Sequence, residues 1–410
     1  MPLSLFSGFG VELEYMIVDQ ATLSVRPVAD ALLGAAAGDL SGEVDRGEIG
    51  WSNELVAHVI ELKVNRPAER LDRLPEQFQK NICEVNELLA AQGARLMPSG
   101  MHPWMNPERE TRLWPHEYGE VYQAFDRIFG CRGHGWANLQ SLHLNLPFAD
   151  DDEFARLHAA VRLVLPILPA LAASSPIVEG KLTGLLDNRL EAYRTNSSKI
   201  ARVAGRVIPE AAFSRSEYQA QILEPLYAEI APHDQAGVLR NEWLNARGAI
   251  ARFSRNTIEI RVLDVQECPL ADLAICAAVV AVLRSLVSER WSKLAKQKSA
   301  AVEPLAEILL ANIRDAERAE IGDRDYLDLF AYPGDSCTSG ELWRHLLDSH
   351  PEIAGSASPW REPLRTIIDE GPLARRMVEA LAAGAELKSV YEELCKCLEG
   401  GTMFHVIAKR

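Results

Sequence analysis

Two glutamates stand two residues apart in the run GVELEYMIVD: Glu12 and Glu14 fall on one side, while Val11, Leu13, Tyr15 and Ile17 alternate on the other. On a strand such a pair is about 7 Å apart. Two like charges side by side are costly to bury unless a cation neutralises them, although the wet side of an antiparallel sheet would also hold them. The run NELVAHVIELKV, rich in β-branched residues, reads as a second strand and adds Glu54 and Glu61, with His58 between them as a packed histidine. The odd separation of Glu54 and Glu61 sends them to opposite faces of a regular strand. They converge only if Glu54 lies in the loop leading in, or if a bulge intervenes.

Two further segments alternate in the same way. NLQSLHLNL sets Ser141, His143 and Asn145 on one face, and TIEIRVLD sets Thr257, Glu259 and Arg261 against Ile258, Ile260 and Val262. Alone, Glu259 and Arg261 read as a surface salt bridge. Taken together, Glu12, Glu14, Glu54, Glu61, Glu259 and His143 are too acidic for a core unless divalent cations occupy it. Oxygen-rich sites favour Mg²⁺, and the single imidazole admits Mn²⁺. No Walker A sequence and no G-x-G-x-x-G follows a strand, so a nucleotide would have to be held through metals that bridge its phosphates. Arg189 in LLDNRLEAY, with Lys181 and Arg194 nearby, lies in a stretch read as a polar loop; it is either an exposed arginine or a grip for a carboxylate or phosphoryl group.

These segments order as strand, strand, helix, strand, helix, strand, which is not the βαβ alternation of a parallel sheet. The pattern predicts an α+β fold with a largely antiparallel sheet flanked by helices. LDRLPEQFQKNICEVNELLAAQGA reads as a helix stopped by Gly93, and ADDDEFARLHAAVRLV as a helix with an acidic first turn, ended or bent by Pro166 and Pro169. A long helical run from Pro269 to about Lys298 closes a first unit, residues 1–298. Residues 299–410 read as a helical C-terminal extension packed on it.

The chain has 410 residues, 48% hydrophobic and 25% charged, so it can bury a large core. Acidic residues outnumber basic ones 58 to 43, for a net charge of −15, which argues against nucleic-acid and anionic-membrane partners. Seven scattered cysteines predict reduced thiols, and Cys395 and Cys397 lack the spacing of a zinc knuckle. MPLSLFSGFG lacks the basic start of a signal peptide, and the longest uncharged run, Leu163 to Val178, is too short and proline-rich to span a bilayer. A cytoplasmic protein is expected.

The five segments GVELEY, ELVAHVIELK, NLQSLHLNL, LDNR and TIEIRVLD resemble, in order and spacing, the glutamate–cysteine ligase family, particularly its bacterial carboxylate–amine ligase branch, over residues 8–290. The resemblance implies a glutamine-synthetase-like catalytic sheet that uses ATP and two or more Mg²⁺ ions. It implies Glu12, Glu14, Glu54, Glu61, His143 and Glu259 as metal ligands, and Arg189 and Arg261 as binders of the phosphoryl group and the acid substrate. The implied reaction joins a small-molecule acid to an amine, amino acids in the first place, through an acyl phosphate. A metal-dependent hydrolase and an inactive nucleotide- or metal-binding relative are the alternatives. The turn after Glu61 is KVNRP here where the family usually has a small Thr- or Gly-containing turn, and GMHPWMNP and EWLNARGAIARF look like the branch outside established glutathione enzymes, which leaves the acceptor amine open. A homodimer is the expected assembly.

Overall fold

A computed structural model describes residues 2–406. Its centre is an eight-stranded sheet formed by β1 (Gly10–Asp19), β2 (Glu43–Arg46), β3 (Ile49–Asn53), β4 (Val59–Val64), β5 (Ala94–Met97), β6 (Ser141–Pro147), β9 (Ala249–Arg252) and β10 (Thr257–Asp264). Between β6 and β9 in the chain, β7 (Ile177–Val178) and β8 (Lys181–Leu182) make a separate small hairpin. The strand order is β2-β3-β4-β1-β6-β10-β9, with β5 also on β1, and the named pairings are all antiparallel. The expected antiparallel α+β sheet is therefore what forms.

The period-two pattern divides the sheet into two faces. Val11, Leu13, Tyr15, Trp51, Ile60, Leu62, Leu142, Leu144, Ile258 and Ile260 are buried in one continuous core. Helices Leu74–Ala90, Asp151–Val164 and Pro269–Val287 supply the other half of that core. Pro269–Val287 is long and apolar enough to cross a membrane, but 83% of its apolar window is buried inside the protein, so it is a core helix. Helix boundaries follow local chemistry. Asp150 accepts hydrogen bonds from the amides of Asp152 and Glu153, which fixes the acidic start, and the α-helix gives way at Val164 to a 3₁₀ turn holding Pro166. Gly93 has φ +65° just beyond Leu74–Ala90, where a side chain would be strained.

Two expected elements divide differently. NELVAHVIELKV is not one strand: β3 ends at Asn53, β4 begins at Val59, and residues 54–58 connect them. The run from Pro269 to Lys298 breaks after Val287, where Glu289 turns to φ +59°, and resumes as Leu294–Lys298. Beyond it, helices such as Val302–Asp315 and Ser339–Asp348 place Leu305, Ile308, Leu342 and Trp343 in the same core as the strands. All seven cysteines are free, six of them buried.

Candidate active site

The opposite face of the sheet is polar, and register brings its residues together. In the β1–β4 ladder Glu14 pairs with Glu61 and Glu12 with Lys63; in the β1–β6 ladder Glu12 pairs with His143. Glu54, in the connection after β3, also reaches this face, so the loop alternative for that residue is the one realised. Two triads result, each with one ligand atom per residue within 4.8 Å of the others: Glu12, Glu61 and His143, and Glu14, Glu54 and Glu61.

A hydrogen-bonded row fixes these side chains. Asn145 Nδ2 donates to Glu12 Oε1 at 3.0 Å, and His143 Nδ1 lies 3.0 Å from Glu12 Oε2. Ser141 Oγ lies 2.9 Å from His143 Nε2, and Ser141 donates its backbone amide (2.7 Å) and hydroxyl (2.8 Å) to Glu14 Oε2. Ser52 Oγ donates to Glu61 Oε1 at 2.6 Å, and Lys63 Nζ bridges Glu61 (3.2 Å) and Glu43 (2.7 Å). Burial and the neighbouring charges of Glu14, Glu61 and Glu12 push Glu54 well above the usual carboxylate range. Burial and then Glu12 raise Glu61 to about 7. Burial also opposes ionisation of Glu12, but the hydrogen bond and charge of His143 outweigh it and hold that carboxyl at about 2. Burial disfavours the imidazolium of His143, yet its hydrogen bond to Glu12 and the surrounding carboxylates raise its pKa overall.

Glu259 lies on the same face but outside both triads. Its Oε2 accepts from Arg252 Nη1 and its Oε1 pairs with Arg261 Nη2, each at 3.0 Å. In the β10–β6 ladder the register shifts between Ile260 and Leu263, so Arg261 and Val262 together span the position across from His143. The extra residue returns Asp264, paired with Ser141, to the polar face, where it forms an ion pair with Arg189 Nε. Arg189 is not in a polar loop. It sits in the first turn of helix Asn188–Thr195, capped by Asp187, and is 1% exposed. Ser174 and Ser175 also donate to Asp264, so a fully buried network anchors the guanidinium.

Two cavities meet at the triads. A cleft of 1140 Å³ is lined by Glu12, Glu61, Lys63, Arg66, Arg252 and Arg255, among others. A pocket of 300 Å³ reaches from Glu14, Glu54 and His143 past Arg189 and Arg261 to Trp136 and Trp243. Lys63, Arg252 and Asp264 escaped the sequence reading. Lys63 shares the parity of Glu61 and was open to the same rule, whereas Arg252 and Asp264 needed the hairpin register and the bulge. His102, His116 and His134 do not line either cavity; His102 Nε2 lies 2.7 Å from the carbonyl of Leu23.

The acidic set fits divalent cations on its own chemistry. Four carboxylates gather here with one lysine and one imidazole, and Glu54 and Glu61 are held toward their protonated forms by burial and then by that crowding. Glu61, shared by both triads, suits a pair of ions bridged by one carboxylate.

The chain matches glutamate–cysteine ligase family 2 over residues 8–393. It is 34% identical to an uncharacterized protein of Archaeoglobus fulgidus, covering 96% of this chain and 99% of that one. It is 26% identical to a Bradyrhizobium diazoefficiens protein described as "Putative glutamate–cysteine ligase 2", covering 91% of this chain and 79% of the relative. Among solved structures, glutamate–cysteine ligase of Francisella tularensis in complex with AMP superposes with a TM-score of 0.61 at 12% identity, over 98% of this chain and 90% of that one, so the two share the fold. The chain belongs to glutamate–cysteine ligase family 2.

Proposed function

We propose that the protein is an ATP-dependent carboxylate–amine ligase. The observation that carries this reading is the pair of acidic triads sharing Glu61, set where a cation-rimmed cleft meets a pocket that holds two arginines. ATP belongs in the wide cleft, its phosphates facing Lys63, Arg66, Arg252 and Arg255. Glu12, Glu61 and His143 would hold one Mg²⁺ or Mn²⁺, and Glu14, Glu54 and Glu61 the other. When bound, such ions draw off the charge that develops on a transferring phosphoryl group.

The acid substrate belongs in the smaller pocket with its carboxylate toward Arg261 and Arg189. One carboxylate oxygen attacks the γ-phosphorus, the bond to ADP breaks, and an acyl phosphate forms. The amine nitrogen then attacks the acyl carbon, phosphate leaves, and the nitrogen gives up its extra proton. Glu259 orients Arg252 and Arg261 for the first step, and Asp264 orients Arg189. Residues 1–298 form the catalytic unit in this reading, with 299–410 bracing it.

The test is ADP release from the purified protein with Mg²⁺ or Mn²⁺ and panels of acids and amines, with mass spectrometry of the product. A product of mass acid plus amine minus water supports the ligase. Hydrolysis of a substrate without ATP consumption identifies a metal-dependent hydrolase instead.

A further inference from the structure

The smaller pocket changes character along its length. Its charged groups, Glu14, Glu54, His143, Arg189 and Arg261, gather at the sheet end. Beyond them the wall is made by Phe125, Trp136, Trp243, Leu139 and Val203, with Tyr122 and Tyr193 flanking. Phe125, Trp136 and Trp243 are half-buried: Phe125 packs against both tryptophans, with ring centroids 5.2 Å apart for Phe125–Trp136 and 5.7 Å for Phe125–Trp243, and each of the three lines the pocket. Trp136 is held in orientation by its Nε1, which donates to the carbonyl of Asn196 at 3.0 Å. Uncovered aromatic faces meeting at one end of a pocket, opposite two arginines, are complementary to an anion with a flat apolar body.

We infer that the donor acid is an aryl- or indolyl-bearing carboxylic acid, with its carboxylate at Arg189 and Arg261 and its ring between Trp136, Trp243 and Phe125. This rests on the ligase reading for the fate of the carboxylate, but not for the binding itself. The volume, 300 Å³, is about twice that of an apolar cavity of about 150 Å³ that accepts benzene, which leaves room for a ring and a short chain. L-Glutamate would place its second carboxylate and its ammonium against the apolar wall, where neither finds a counter-charge and both lose water. Selection by such a wall is expected to be about tenfold or more.

The test has two arms. In the first, 3-phenylpropanoate, indole-3-acetate and L-glutamate are titrated against the full chain without ATP, following tryptophan fluorescence and calorimetry. The expected result is binding of the ring-bearing acids about tenfold or more tighter than L-glutamate, weakened in Trp243→Leu and abolished in Leu139→Trp, which fills the pocket; far-ultraviolet circular dichroism and ATP binding check that each variant is folded. In the second, the same acids are offered with ATP, Mg²⁺ and hydroxylamine, which traps an acyl phosphate as a hydroxamate. Ring-acid binding without hydroxamate keeps the pocket assignment and sinks the ligase reading. Hydroxamate from L-glutamate in preference to the ring-bearing acids keeps the ligase and overturns the pocket assignment, as does binding unaffected by Leu139→Trp.

Discussion

Glu61 stands directly across from Glu14 in the β1–β4 ladder, and its carboxyl is the member common to both acidic triads. A single side chain thus couples two ligand sets through one cross-strand pair. Replacing it should affect both sets at once, which no other residue of the group would do.

Glu61→Gln keeps the shape and removes a charge from a crowded acidic face. In excess chelator the variant should be at least as stable as the parent, because repulsion with Glu12 and Glu14 is relieved. Saturating Mn²⁺ at about 100 times its Kd should stabilise the parent by about 2.7 kcal/mol and the variant by far less. Thermal denaturation with and without the ion measures both; equal stabilisation of parent and variant would remove Glu61 from the metal set.

Glu259 separates two roles that its strand position allowed. Because both of its oxygens engage arginines, Glu259→Gln should lower ATP turnover while leaving the midpoint of a metal titration unchanged. A weaker metal midpoint would instead make Glu259 a ligand. The metal titration therefore decides between the roles, and activity alone does not.

Arg189 and Asp264 are both fully buried, so Arg189→Ala leaves an uncompensated carboxylate. The expected cost is about 3–5 kcal/mol of stability, beside a loss of turnover. Arg189→Met combined with Asp264→Leu removes both charges and should regain much of that stability but none of the activity. Urea denaturation of the three proteins tests this, and a single variant as stable as the parent would contradict the buried pair.

His158 provides a pH-dependent prediction away from the site. Burial first, then the charges of Arg162 and Arg247, depress its pKa to about 3. The unfolded chain, with an ordinary imidazole near 6.5, binds the proton more readily. The stability it contributes is present above pH 6.5 and is lost as pH falls from there toward 3, by about 2 kcal/mol at pH 5. His158→Phe, which can keep the stacking on Phe154 at 5.2 Å, should flatten that part of the stability profile. An unchanged acid slope between pH 7 and 5 would show that His158 does not supply it.

The sheet side of the site was largely readable from alternation. Glu12, Glu14, His143 and Glu259 occupy regular strand positions whose neighbours are core residues, so their face follows from period two. Glu54 was ambiguous because its position depends on where β3 stops, which β-branched content does not reveal. Arg189 was misread as a loop residue because helix Asn188–Thr195 is short and mostly polar, although Asp187 three residues before Leu190 is an N-cap pattern. The aromatic wall was out of reach. Tyr122 and Phe125, Trp136, and Trp243 come from three separate segments that only the tertiary fold assembles.

The irregularity in β10 acts as a change of reading frame. Up to Val262 the odd-numbered residues serve the site and the even-numbered ones the core; afterwards the assignment swaps, with Leu263 in the core and Asp264 at the site. Were Val262 drawn into the ladder opposite Leu142, the composition of the strand would be untouched but Leu263 would fall opposite Ser141, turning a leucine toward Arg189 and the carboxylate toward the core side, whereas deleting Val262 would close the bulge and leave both residues where they are. For β10, then, the place of the bulge matters as much as which residues the strand holds.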